Sequence, residues 1–281
     1  MAEKMCGFCG EPIGAGTRSR EHLIKKAWLR ELGHLQTNMP SDHVSGATGK
    51  IISSRLATAD KLQAGGVCED CNNGWMERMD APISDAMLSM ARGLTCPLHY
   101  SYDIQRQIAR WIFRTGCTYR LMNLKLKELI SAETRKALIN PAYTPSGLTA
   151  FFLSYPPGKK ELGTALIQNW EAYGKGIDLK DVQNMKFAIQ IDSILLGCVH
   201  IDTPLLNAVL LPTHRAFYTN TLFNISRKET ISRRNFTEIA SVFINQWLAA
   251  VGVAKSNCLL NKPPFDYGPS CAKWAIAKLR H

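Results

Sequence analysis

The sequence predicts an α+β fold in two unequal parts. Two C-x-x-C pairs frame the first part, a helical apolar period runs through the first half, and strand-like apolar runs follow in the second. At 281 residues the chain lies where a single core usually stops growing, about 250–300 residues, so a division near Ala81-Pro82 is expected, giving parts 1–80 and 81–281. In the first part, Ile24, Trp28 and Leu32 recur every four residues and predict a helix over about Leu23 to Leu32. Turn signals lie at Gly14 to Gly16, Ser45-Gly46 and Ala64 to Gly66. A second helix is expected from Asn72, carrying Trp75 and Met79 inward.

Pro82 suits the first turn of a further helix over about Ile83 to Arg92, and another follows over about Ile104 to Met122. Strands are expected at Leu148 to Ser154, Ala165 to Trp170, Phe187 to Ile191 and Ile194 to Ile201, with Asp192-Ser193 turning between the last two. Asn235 with Glu238 three residues on has the pattern of a capping box opening a helix through Val251.

Hydrophobic residues make up 46% and charged residues 20%, a balance that folds and excludes a disordered chain. The opening MAEKMCGFCG lacks the apolar core of a signal peptide, and the run Phe236 to Val253 is broken by Glu238, Asn245 and Gln246. A soluble, cytoplasmic protein without a membrane anchor is therefore expected. In that setting, nine cysteines point to metal binding and buried thiols and away from disulfides.

A net charge of +11 and a pI near 9.3 favour a polyanionic partner. Residues 1–80 hold ten Lys+Arg against ten Asp+Glu, so the whole excess lies in 81–281. Arg227, Lys228, Arg233 and Arg234 are the first candidates for phosphate contact, with Lys273, Lys278 and Arg280 next.

The chemistry concentrates in the first part. Cys6-Gly7-Phe8-Cys9 and Cys68-Glu69-Asp70-Cys71 are two knuckles, each presenting two sulfurs on one side. Together they complete the four-thiolate shell that zinc prefers, a closed and therefore structural site. Glu21-His22 follows the first knuckle and Asn72-Asn73 follows the second directly. This order resembles the four-cysteine branch of the HNH endonucleases, over about residues 4–80.

The resemblance implies a ββα-metal fold in which Glu21 and Asn72 hold one Mg²⁺ or Mn²⁺ and His22 is the general base; Asn73 is the alternative to Asn72. It implies hydrolysis of phosphodiester bonds in DNA, double-stranded by default. A stand-alone nuclease of this kind with an accessory domain is also similar to effectors of bacterial anti-phage systems such as the HNH protein of the Zorya type, so a homodimer or defence-system partners are expected. The departures are Lys25 where the family often has proline, a long segment from His22 to Cys68 that suggests an inserted helix, and no evident middle Asn, for which Asp60 and Gln63 are candidates. Lys25, Lys26 and Arg30 could touch phosphate or form a solvated helix face. Two readings compete with the nuclease: a zinc module that binds nucleic acid without cutting it, and an RNA nuclease. Elsewhere, Cys198 with His200 and Cys96 with His99 read as buried thiols and ordinary histidines.

Overall fold

The computed structural model describes residues 3–44, 51–122, 130–145, 148–154, 158, 162–167, 172–173, 184–201, 206–210, 222–224, 229–230 and 251–255. The fold is α+β, as its sequence predicts. The basic residues Arg227, Lys228, Arg233, Arg234, Lys273, Lys278 and Arg280 lie outside the described residues, as does the expected helix from Asn235 except for its last position, Val251, which opens a strand instead.

Strand β1 (Glu21–His22) pairs antiparallel with β4 (Gln63–Ala64), with His22 opposite Gln63. Between them the chain forms helix α1 (Lys26–Glu31) and a hairpin of β2 (Asn38–Val44) and β3 (Ile51–Thr58). The helix expected from Leu23 begins three residues later. Leu23 donates its N–H to the Leu62 carbonyl at 2.9 Å, extending the ribbon, and Lys25 keeps an extended ψ of 125°. A four-residue apolar repeat reports which side chains are buried, and these positions are buried whether the backbone coils or extends. The long insertion is therefore a short helix plus a hairpin. Its hairpin went unpredicted because Met39 and the polar run around it lack strict alternation.

The second knuckle leads into a π-helical turn (Cys71–Met76), then α2 (Glu77–Asp80), a single 3₁₀ turn (Ala81–Ile83) and α3 (Ser84–Ala91). The expected start at Asn72 is three residues late, because helical backbone begins at Glu69 and Asp70 already has φ −61° and ψ −39°. Pro82 sits in a first turn, where its missing N–H costs no hydrogen bond.

Helix α4 (Tyr102–Met122) is the spine of the fold, with every residue from Ile108 to Thr118 buried. A helix buried all round must pack on two sides. On one side lies a six-stranded antiparallel sheet in the order β12-β11-β5-β9-β8-β6, in which β5 (Leu148–Ser154), β8 (Asn184–Ile191) and β9 (Ile194–Ile201) are central. Strand β6 (Leu162–Ile167) begins three residues earlier than the sequence suggested, with 168–170 outside the described residues, and β11 (Leu222–Asn224) and β12 (Glu229–Thr230) form the far edge. A second sheet joins β10 (Leu206–Leu210), β13 (Val251–Lys255) and β7 (Ala172–Tyr173).

Gly116 lets α4 approach the main sheet closely: a Cβ there would stand 2.8 Å from Met185 Cε and 3.0 Å from Phe187 Cβ. The β8–β9 hairpin turns at Asp192, whose φ of 49° is a left-handed conformation that Asp tolerates. On its other side, α4 packs Trp111 against Trp28 of α1 at 5.4 Å between rings. Helix α5 (Ala132–Ala137) follows α4, capped by the Ser131 hydroxyl, which accepts from Thr134 N–H at 3.0 Å. One continuous apolar core therefore runs from Cys6 and Phe8 through α4 to Cys198, across the division expected at residue 80.

Candidate metal centre and active site

The sulfurs of Cys6, Cys9, Cys68 and Cys71 all lie within 4.8 Å of one another. Among the described residues this is the one group of three or more His, Cys, Asp or Glu side chains so gathered. Cys9 Sγ and Cys68 Sγ stand 3.6 Å apart, close to the edge of about 3.8 Å that a tetrahedron with Zn–S bonds of about 2.3 Å requires. Local structure holds the shape. Gly10 closes the first knuckle at φ 80°, a turn that suits glycine, and donates to the Cys6 carbonyl at 3.0 Å. Gly7 N–H reaches the Gly66 carbonyl at 2.8 Å, tying the first knuckle to the approach of the second.

Backbone amides of Cys68 and Glu11 point at Cys6 Sγ and Cys9 Sγ, at 3.4 and 3.5 Å. Without a metal the thiols share protons unevenly: the Cys71 hydrogen bond draws Cys6 down to about 4, whereas Cys71 itself is driven up by Cys6 and by burial. Burial pushes Cys9 up to about 11; thiolate is the ligand form, so these thiols would give up their protons on binding a metal such as zinc.

The elements beyond residue 80 grip this cluster. Arg135 of α5 donates from Nε to the Gly7 carbonyl at 2.6 Å; from within the first eighty residues, Phe8 meets Trp75 edge-on at 5.4 Å.

His22 lies on the β1–β4 ribbon, opposite Gln63, with its side chain 22% exposed. Gln63 Nε2 approaches His22 Nε2 at 2.9 Å and also donates to the Asp60 carbonyl at 2.8 Å. An amide nitrogen that donates to a carbonyl is a donor to the imidazole too, so this geometry fits a neutral ring with its proton on Nδ1. Electrostatics agree in direction. Burial lowers the His22 pKa most, the nearby Asp60 carboxylate opposes it, and Lys26 lowers it further. Both residues weighed for the missing middle Asn therefore stand against His22: Gln63 by its amide, Asp60 by its carbonyl and its carboxylate, the latter 3.5 Å from Nε2.

Glu21 points the other way, as strand alternation requires, and is buried. Its Oε1 accepts from Arg114 Nη1 of α4, while Arg114 Nη2 donates to Asp80 Oδ1 at 2.6 Å. Burial raises both carboxyl pKa values against the pull of Arg114. Burial would likewise lower the guanidinium, but Asp80 and Glu21 outweigh it and hold Arg114 above its usual value. Arg114 was not among the expected site residues, and nothing in its helical context distinguishes it from a surface arginine.

Asn72, half-buried, donates from Nδ2 to Ser19 Oγ at 2.5 Å, which leaves its carbonyl oxygen as an available donor atom for a cation. Asn73 is exposed and faces Glu69 Oε1 at 3.4 Å. Lys25 and Lys26 are both engaged by carboxylates, with Glu77 at 2.7 Å and Asp60 at 3.1 Å. Of the weaker motifs, Cys198 is buried with its thiol pKa raised, His200 packs edge-on against Phe113 at 5.1 Å, and His99 Nδ1 accepts from Cys96 N–H at 3.1 Å.

The fold and this site define an α+β chain built around a four-cysteine cluster able to hold a metal. Compared with protein-family models, curated proteins and solved structures, the chain finds no match in any of the three. Among the described residues no helix is long and apolar enough to cross a membrane.

Proposed function

We propose that the protein is a metal-dependent endonuclease of the HNH type that hydrolyses phosphodiester bonds in DNA, with zinc in the four-cysteine cluster as a structural staple. The observation that carries this reading is the setting of His22. Its side chain, 22% exposed, stands at the end of a two-stranded ribbon against Gln63 and Asp60 in a geometry that fits a neutral ring, and a helical segment opened by the four-cysteine cluster follows the second strand. Ribbon and helix in that order resemble a ββα-metal module interrupted between its strands by α1 and the β2–β3 hairpin.

In this reading His22 takes a proton from water, a role that suits an imidazole kept unprotonated near neutral pH. Glu21 and Asn72 would hold one Mg²⁺ or Mn²⁺, since a carboxylate and an amide oxygen suit a hard cation, which neutralises charge on the phosphate when bound. Arg114 then acts as the positioning residue for Glu21, fixing the carboxylate through one oxygen and compensating its charge. By the layout of a four-cysteine nuclease module joined to an accessory part, anti-phage defence is the setting proposed for that cleavage.

The same Arg114 favours a second reading, a zinc module that binds nucleic acid without cutting it, because Glu21 is already satisfied without a cation. One experiment separates them: plasmid DNA and a structured RNA are incubated with the full chain, each with Mg²⁺, Mn²⁺ or EDTA. Metal-dependent nicking or linearisation of the plasmid, lost in His22→Ala, is expected. Binding without any metal-dependent cleavage overturns the nuclease, and cleavage of RNA alone replaces its substrate.

A further inference from the structure

The chain from Arg18 to His22 runs antiparallel to Gln63 to Cys68, through the Arg18–Cys68 bridge, the β1–β4 pair and the bond from Ser19 N–H to Val67 carbonyl at 3.3 Å, with a bend and a one-residue shift of register at Gly65 to Val67. In an extended strand alternate residues share a face. Glu21 and Leu23 are buried, Ser19 is partly buried, and Arg18, Arg20 and His22 lie on the outward face, with both arginines exposed. On the paired strand the position between Ala64 and Gly66 is Gly65. Arg18 Nη2 lies 3.7 Å and Lys4 Nζ 3.8 Å from the point a Cβ on Gly65 would occupy.

Two cations thus converge on one open point above a residue with no side chain. No carboxylate is paired with them: among the described residues, no ion pair involves Lys4, Arg18 or Arg20, and Glu69 turns its carboxylate to Asn73. Like charges brought together without a counter-ion repel, and an anion between them removes that cost. The lysines expected to touch phosphate, Lys25 and Lys26, are by contrast neutralised by Glu77 and Asp60.

We propose that Lys4 and Arg18 over Gly65 form a binding site for a backbone phosphodiester of nucleic acid, and that Arg20 continues it along the ribbon toward His22. Successive outward positions on a strand are about 6.7 Å apart, so Arg18, Arg20 and His22 form a graded track on which a polyanion runs from grip to cut. The proposal rests on the nuclease reading only for where the cut falls; the grip needs no chemistry.

The test measures binding of the full chain to a DNA duplex and to RNA of the same sequence by fluorescence anisotropy in EDTA, over a range of salt. Lys4→Gln with Arg18→Gln should flatten the dependence of log K on log salt by about 0.9 per lost duplex phosphate contact, alike for unrelated sequences. Gly65→Asp should act in the same direction without destabilising the fold, because it supplies the missing carboxylate between the two cations, and its Cβ meets only ordinary contacts. Gly65→Ala, whose Cβ fills that point without adding charge, should weaken binding less than Gly65→Asp and leave the salt slope near wild type. Hydrolysis of bis(p-nitrophenyl) phosphate, too small to span the track, should survive all of these changes. Unchanged salt slopes in both the double variant and Gly65→Asp overturn the site, as does wild-type protein that binds neither nucleic acid. Unchanged slopes together with faster zinc loss to a chelator assign the cations instead to balancing the thiolates, which also overturns it. Normal slope changes in a protein that hydrolyses neither DNA nor the small diester leave this site standing and remove the nuclease.

Discussion

His22 is where the chemistry and the electrostatics of the proposed reaction meet. Truncation to Ala removes a group that acts on water and contributes little to ground-state binding, so cleavage should fall by about 10²–10⁴-fold or more while DNA affinity and the unfolding midpoint stay near wild type. A His22→Ala protein that cuts at the wild-type rate at matched Mg²⁺ ends the assignment. The pH dependence has a definite sign. The folded-state pKa of His22 lies below its ordinary value of about 6.5 because burial disfavours the imidazolium. The base form is therefore complete above that value, and kcat/KM should fall only on an acidic limb whose midpoint lies below it. Asp60 pulls the other way, so Asp60→Asn should move the limb to still lower pH; a limb that moves up, or none at all, shows that the titrating base is another group.

At the scale of elements, the two knuckles and helix α4 hold the site from opposite sides. Zinc affinity becomes folding free energy when the ligands do not converge in the unfolded chain, so Cys6→Ser or Cys71→Ser should lower the unfolding midpoint sharply, and elemental analysis should find about one zinc per wild-type chain. A metal-free protein with an unchanged midpoint would show that packing alone maintains the cluster. From α4, Arg114→Met leaves the buried Glu21 and Asp80 without their cation, a change that typically costs about 3–5 kcal/mol, readable by urea unfolding. Both carboxyl pKa values already lie above their ordinary range, and losing Arg114 raises them further. Groups with raised folded-state pKa values stabilise as pH falls, so the deficit of Arg114→Met should shrink on acidification toward the ordinary carboxylate range; a deficit that grows shows the pair is not what was broken.

The knuckles were legible because C-x-x-C spacing fixes sulfur positions locally, and β5, β9 and the Asp192 turn were legible because their signals lie within a few residues. Arg114 was not, since what makes it special is two carboxylates brought from distant parts of the chain. Gln63 could be named only as a candidate, because its value depends on the register that sets it opposite His22.

For the molecule as a whole, the sequence suggests a module of about eighty residues with an appendage, whereas the packing runs through residue 80 without a break. Trp28 rests on Trp111, the carboxylates of Glu21 and Asp80 meet on Arg114, the first knuckle is held through Gly7 by Arg135, and His34 pairs with Asp192 at 2.7 Å in a buried contact. Cutting the chain after Asp80 would strip all four contacts, exposing apolar surface and leaving two carboxylates in a site built to be closed over them. Four thiolates can still capture zinc in such a fragment, but the metal would fold only the knuckles and not the ribbon that carries His22. The expected outcome for an isolated 1–80 fragment is zinc binding weaker than in the full chain by competition with a chelator, near-ultraviolet circular dichroism without the tryptophan signature of packed Trp28 and Trp75, and no cleavage of plasmid DNA. Supplying residues 81–281 in trans should restore part of the tryptophan signal if the interface is the missing component. A 1–80 fragment that holds zinc as tightly as the full chain, shows native tryptophan packing and cuts DNA would show that the core divides at residue 80 after all.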